Sequence, residues 1–490
     1  MTVDIQAIYD HMRAHKSKHT ARIIEFLRQP SVSAGDSTQM RRCAELLQQY
    51  FQELGCVETE LVETDGHPGV WAYYNAGAKR TIVNYCMYDT QPVREEEAWS
   101  FPPFDARLAS GTLIGRPEFD SVIIARGAIK TKAPLRAWLN ALEAIIAVEG
   151  KLPVNIMFIA EGEEELGSPH LDQIVDKYYD RLRNADAVLQ IDAAQNREGK
   201  VELSLGCKGN IYFDVECSSE SWGRGSRRDV HSSLRPIVDN PALRLIQAVS
   251  TMIAPDGYSP NIEGLSDDIE PWAEDHELIK ALARDPDFLR EMAEEYEIIR
   301  WINGMTDPED LLYRYFYGPN LNVNGINSGY AGPGAETVIP HRAVCKVNIR
   351  LVPNQEPDSV MEKVRTHLDK QGFSDISLKA PKGSKLEGRD YAGYTWSKTS
   401  MSADLVQAVL KTYQDRGVHV SIKPHSPESS PMYLFSRPPL NLPVCSGGLG
   451  HGARAHSADE YFVVDGHGKV AGLLECEKSY VEILYNFAEN

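Results

Sequence analysis

The apolar run "VNIMFIA" leads into "EGEEELGS", so a strand-like segment ends on three consecutive glutamates, Glu163, Glu164 and Glu165. Carboxylates crowded in this way repel one another unless a cation or shared protons neutralise them. The segment is therefore either a functional site or the acidic first turn of a solvated helix, where carboxylates are also favoured. Two other apolar runs end comparably: "RTIVNYCMYDTQPV" opens into a loop at Asp89, and "AVLQI" is followed by Asp192. His456 stands in the Gly-rich stretch "CSGGLGHGARAHSADEY". A lone aspartate after a strand is usually a cap and a lone histidine usually structural. Together, at strand ends where α/β enzymes place their chemistry, they mark a candidate site.

The elements that would carry these residues are legible as alternating textures. Ile5 to Leu54 has apolar residues at helical spacing, interrupted by "RQPSVSAGDS". Strand-like runs then alternate with helical ones, from "RTIVNY" through "PLRAWLNALEAIIAVEG" and "PVNIMFIAEG" to "SPHLDQIVDKYYDRL" and "AVLQIDA". That alternation predicts an α/β fold whose mainly parallel sheet has helices on both faces. From "KVELSLGCKGNIYFDVEC" the texture becomes alternating strands, an acidic helical stretch near Pro271–Ile302, and a strand–helix pair at "AVCKVNIRLVPNQ" and "PDSVMEKVRTHLDKQG". This reads as an inserted α+β lid or dimerisation domain over residues 208–396, between catalytic parts 1–207 and 397–490.

At 490 residues two domains are expected. Against 51 basic residues stand 70 acidic ones, a formal charge of −19, which argues against nucleic acid or an anionic membrane as partner. Eight scattered cysteines with no CxxC pair argue against a disulfide framework or structural zinc site. The charged N-terminal stretch lacks the apolar core of a signal peptide, and no run is long enough to span a membrane, so a cytoplasmic protein is expected.

Taken in order, "YCMYDTQPV", "WSFPPF", "ARGAIKTKAPL", "EGEEELGS", "IDAAQ", "DVHSS", "GAETVIP", "NIRLVPNQ" and "GLGHGARAHSADEY" resemble the dinuclear zinc peptidases that include carnosine dipeptidases, aminoacylases, glutamate carboxypeptidases and succinyl-diaminopimelate desuccinylases. The resemblance covers nearly the whole chain. It implies two metals at the sheet's C-terminal edge and a lid domain carrying the dimer contact, hence a homodimer. By position, Asp89 matches the aspartate orienting a metal-binding histidine, Glu164 the general base, and Glu165, Asp192 and His456 metal ligands. In the lid, His231 matches the histidine that stabilises the oxyanion in a neighbouring active site. Arg350 matches the arginine that binds the substrate carboxylate, and "ESSPMY" around Ser430 the loop closing over substrate. The "KGNIYFDVEC" strand is expected to offer an edge for pairing.

Two positions depart from the pattern. Met87, a soft thioether, stands where the family has a metal-binding histidine. Lys130, in "AIKTKAP", stands where the family has the aspartate bridging both metals, and an ammonium cannot ligate while protonated. The expectation is no metal and no cofactor, with Lys130 supplying the charge that Glu164, Glu165 and Asp192 need. Glu164, Lys130, His231 and Asp89 are then the catalytic candidates; Arg350, Ser430, Glu165, Asp192 and His456 would contact substrate. The function expected is a metal-independent, hydrolase-like enzyme acting at an amide or related C–N bond of a small carboxylate-bearing substrate. Two alternatives remain: a catalytically silent small-molecule binder, and an ordinary metallodipeptidase with a displaced frame in which Cys86 is a thiolate ligand.

Overall fold

The computed structural model describes residues 4–94, 98–381 and 391–489. Its backbone forms two compact units, one of residues up to Leu205 with Lys398–Lys423 and from Leu434 on, the other of Gly206–Ser397 with Pro424–Tyr433.

The first unit is built on a six-stranded sheet of β1 (Glu58–Val62), β2 (Gly69–Tyr74), β3 (Thr81–Met87), β4 (Asn155–Glu161), β5 (Ala187–Ile191) and β6 (Val444–Gly447). Their spatial order is β1-β2-β4-β3-β5-β6. The pairs β3–β4, β3–β5 and β5–β6 are parallel; the other two are antiparallel. The sheet is thus mixed and mainly parallel, as expected. Every residue of β4 is buried, and β3 is buried beyond Thr81, which is why both read as unbroken apolar runs rather than alternating ones.

Helices α1 (Ile5–Arg28), α2 (Ser37–Glu53), α3 (Lys132–Glu149), α4 (Asp404–Asp415) and α5 (Leu473–Glu489) pack on this sheet or on one another. Asp4 and Asp36 cap α1 and α2, accepting the N–H groups of Ala7 and Thr38. The Pro-Ser loop between them is sewn to the end of β3: Thr90 N–H donates to Ser31 O at 2.8 Å, and Ser31 Oγ to Tyr88 O at 2.7 Å. Lys132, at the start of α3, is fully enclosed. Its ammonium donates to Gln29 O at 2.6 Å and lies 4.5 Å from the centre of the Phe26 ring. Of the two lysines in "IKTK", Lys132 is the fastener.

The second unit has an antiparallel sheet ordered Asn322–Ser328, Arg342–Leu351, Gly209–Ser218, Ser377–Lys379, with Ala392–Tyr394 also paired to Gly209–Ser218. Ile211, Phe213, Val215 and Cys217 alternate into a core that includes residues of helices Pro241–Thr251 and Pro357–Lys370, while Tyr212 points outward. The acidic helical stretch becomes Ala273–Arg284 and Phe288–Glu295, which share a small core with Pro308–Tyr317. One expectation is corrected: the "KGNIYFDVEC" strand is interior to the sheet, paired on both sides, and the exposed edge is Asn322–Ser328. Its apolar residues at every second position mark a strand with one face in the core, and that pattern is the same at an edge or a centre.

Candidate active site at the carboxylate edge

The run of three glutamates is taken apart by the turn that follows β4. Glu163 swings to His170, whose Nδ1 lies 2.6 Å from its carboxylate. Glu164 and Glu165 begin a short 3-10 turn, and their N–H groups point at Asp89, donating to Oδ1 and Oδ2 at 3.3 and 3.0 Å. Asp89 is 1% exposed. Burial, opposed by the Glu165 N–H and reinforced by the nearby Glu164, pushes its carboxyl up to about 7. Asp89 therefore positions the two glutamates by holding their backbone.

Around them lies a mixed-charge cluster. Lys130 Nζ is 3.4 Å from Glu164 and 3.9 Å from Glu165. His456 Nε2 is 3.0 Å from Glu165 Oε1, and Gln91 Nε2 donates to Oε2 at 2.7 Å. Burial drives Glu165 up, but His456, Lys130 and Gln91 together hold it below the ordinary value; Glu164 stays raised by burial despite Lys130. A carboxyl raised in this way holds a proton it has taken more readily, which suits a general base. Asp192, an exposed residue, accepts the Ala193 N–H at 2.7 Å and feels the charge of Lys130, and local desolvation nonetheless raises its carboxyl.

The Lys130 loop owes its shape to Glu460. This buried carboxylate accepts the N–H groups of Gly127, Ile129 and Lys130 at 3.0–3.1 Å and the Arg126 guanidinium at 3.2 Å. His456 lies four residues earlier, in a segment whose Arg454, His456 and Asp459 have φ of 60°, 64° and 56°. Such left-handed backbone at non-glycine residues is uncommon and clusters at functional sites. Beneath the cluster, Glu161 accepts from Tyr85 Oη at 2.5 Å and Ser168 Oγ at 2.8 Å while its second oxygen has no partner. Burial, the main cause, pushes it to about 8. Sequence reasoning passed over Gln91, Glu161 and Glu460, although all three stand in the stretches already quoted.

Cys86 and Met87 point along a strand buried at both positions. Cys86 Sγ lies 3.5 Å from Ile159 O, and burial raises its thiol pKa far above the ordinary value, which disfavours the thiolate of the displaced frame. Among the described residues, no group of three or more His, Cys, Asp or Glu side chains is arranged to hold a metal ion. The donor set at the carboxylate edge, with an ammonium between two of its members, does not fit a dinuclear centre.

The remaining candidates lie in the second unit. His231 is exposed on the short pairing of Val230–His231 with Val338–Ile339, its ring nitrogens 2.8 Å from Ser233 Oγ and 2.9 Å from Thr337 Oγ1. Arg350 Nη1 donates to Ser429 Oγ at 2.9 Å, and Ser430 Oγ is 3.2 Å from Cys207 Sγ. No helix among the described residues is long and apolar enough to cross a membrane.

The model of peptidase family M20/M25/M40 matches residues 88–485. The Beta-Ala-His dipeptidase of Mus musculus is 31% identical over 296 residues, 59% of this chain and 55% of its own length, so the chain spans about half of that relative. The Cys-Gly metallodipeptidase dug1 of Schizosaccharomyces pombe is 28% identical over 401 residues, 76% of each chain. Among solved structures, the metallo-carboxypeptidase Sso-CP2 of Sulfolobus solfataricus superimposes with a TM-score of 0.79 at 30% identity, covering 96% of this chain and 99% of its own. Human carnosine dipeptidase 1 shares the fold, at a TM-score of 0.73 and 22% identity over the whole of both chains. With a family match running from the loop of Asp89 to the last helix, and a carboxylate-lined sheet edge at its centre, this chain belongs to peptidase family M20/M25/M40.

Proposed function

We propose that the protein hydrolyses an amide or related C–N bond in a small carboxylate-bearing substrate, of the dipeptide or N-acyl amino acid type. The names of its relatives, dipeptidases and a carboxypeptidase, support that substrate class. The observation that carries the chemistry is the cluster in which Lys130 lies within 4 Å of Glu164 and Glu165. Glu164 takes the proton of the attacking water, Asp89 holds the turn that presents it, and Lys130 stabilises the oxyanion that forms on the carbonyl. Arg350 binds the substrate carboxylate with its planar fork. The second unit, whose exposed strand Asn322–Ser328 is open to pairing, forms the dimer contact, and His231 serves the partner's site.

On this reading no metal is needed, a statement that rests on the donor set alone. The relatives point the other way: the names metallodipeptidase and metallo-carboxypeptidase favour a metal, for which the Glu165–His456 pair is the available starting point. Dipeptides and N-acyl amino acids assayed with and without chelator, on protein of measured metal content, decide between them. Turnover with well under one equivalent of zinc, manganese or cobalt is expected. Turnover that dies with chelation and returns with metal makes this an ordinary metallopeptidase. No turnover across the panel, with ligands still bound, leaves a silent binder.

A further inference from the structure

Among the described residues of the second unit, Lys208 and Arg350 form a pair of cations without a carboxylate partner. Lys208 immediately precedes the strand Gly209–Ser218, and Arg350 lies opposite Asn210 on the antiparallel neighbour. Residues opposite each other, and residues two apart along a strand, share a face, so Lys208, Asn210 and Arg350 stand on one side of the sheet. The segment Pro424–Tyr433 is tied to the same place: Lys208 N–H donates to Ser426 O at 2.9 Å and Arg350 to Ser429 Oγ.

Lys208 is only 4% exposed, yet its ammonium, with three N–H groups, donates to one acceptor, the carbonyl of Tyr315 at 2.5 Å. Among the described residues no carboxylate pairs with Lys208 or Arg350. Burial first, and the Arg350 charge second, pull the Lys208 ammonium down to about 7; no other charged group contributes, and the adjacent Cys207 thiol is itself raised by burial. Buried charges are ordinarily paired, and this one has a cation as its charged neighbour. We propose that Lys208 joins Arg350 in a two-cation subsite for a carboxylate group, and that Lys208 sets the preference for substrates whose carboxylate is free rather than amidated. This rests on the carboxylate-binding role given to Arg350 above. An incoming carboxylate restores the missing counter-charge and favours the protonated lysine, so binding takes up a proton above neutrality.

The test is calorimetry on the full-length protein with N-acetylalanine and its carboxamide as probes, at about pH 6.5 and 8.5. The wild type is expected to bind the acid at least about tenfold more tightly than the amide, with affinity falling and proton uptake appearing at the higher pH. Lys208→Met should lose most of that discrimination, and Lys208→Arg should keep it while removing the pH dependence, because a guanidinium stays charged. Lys208→Gln replaces the methionine variant if that one does not fold. If the methionine or glutamine variant lowers only the melting temperature and still prefers the acid, Lys208 merely caps the helix end at Tyr315 and the proposal fails. It fails too if the wild type does not distinguish acid from amide. Acid-selective binding lost in Lys208→Met, without any turnover, would sink the hydrolase and leave the subsite standing; turnover with an indifferent Lys208→Met would do the reverse.

Discussion

Burial acts in opposite directions on two regions of this molecule. At the carboxylate edge of the first unit it raises acids: Asp89 to about 7, Glu161 to about 8, and Glu164 upward as well. On the sheet face of the second unit it lowers a base, Lys208, to about 7. The regions differ in what answers the charge. The acids have Lys130, His456, Gln91 and backbone N–H groups among them, whereas Lys208 and Arg350 have carbonyl and hydroxyl oxygens but, among the described residues, no carboxylate. A cluster that contains its own counter-charge is poised to work on a bound molecule, while one that lacks it is poised to receive an anion.

The largest effect that could break this contrast is loss of the base. Glu164→Gln is nearly isosteric, and removing a general base typically lowers turnover by about 10²–10⁴-fold. Turnover should collapse while the melting temperature moves little; unchanged turnover of a verified substrate would mean that the carboxylate edge is not the active site.

Next comes removal of the internal counter-charge. Loss of one partner from a fully buried ionic cluster costs about 3–5 kcal/mol, but the Lys130 side chain is 32% exposed, so solvent screening reduces the expectation for Lys130→Met to about 1–2 kcal/mol. The loss should be greater at pH 8 than at pH 5, since without the ammonium Glu164 can shed its charge only by holding a proton. Urea unfolding at both values checks it, and an equal loss at the two would detach Lys130 from the carboxylates.

A smaller effect concerns Glu161. A carboxyl raised in the folded state contributes stability that is complete below its unfolded pKa, near 4, and is lost as pH rises through the folded value. For Asp89 and Glu161 that window runs from about pH 4 to about 8. Glu161→Gln should flatten the fall in unfolding free energy across it, and a variant as pH-dependent as the wild type would show that Glu161 is not held protonated.

The smallest test makes the second region resemble the first. Asn210, 2% exposed and opposite Arg350, can be changed to aspartate to supply the absent counter-charge. Asn210→Asp should weaken N-acetylalanine binding, because the new carboxylate competes with the ligand for Arg350. Undiminished binding would place the anion elsewhere.

Much of this was legible in the chain. Burial on both sides writes unbroken apolar runs, so β3, β4 and β5 and the residues at their ends could be found by reading, and the change to alternating residues after Val201 marked a second sheet. Motif order alone led to the peptidase family. The exceptions share a cause, since alternation reports how many faces of a strand are covered but not how many edges, and "KGNIYFDVEC" was therefore mistaken for an edge.

What three-dimensional packing alone decided is which charges meet. Glu163, Glu164 and Glu165 are consecutive, yet one turn sends the first to His170 and the others to Lys130. Glu460 reads as one more acid in "HSADEY" until the fold brings three N–H groups of the Lys130 loop onto it. Lys208 and Arg350 are far apart along the chain and become neighbours only through the pairing of their strands. Periodicity is written locally because each element needs a buried face, but charge pairing and desolvation depend on distances between elements, and those exist only once the chain has folded.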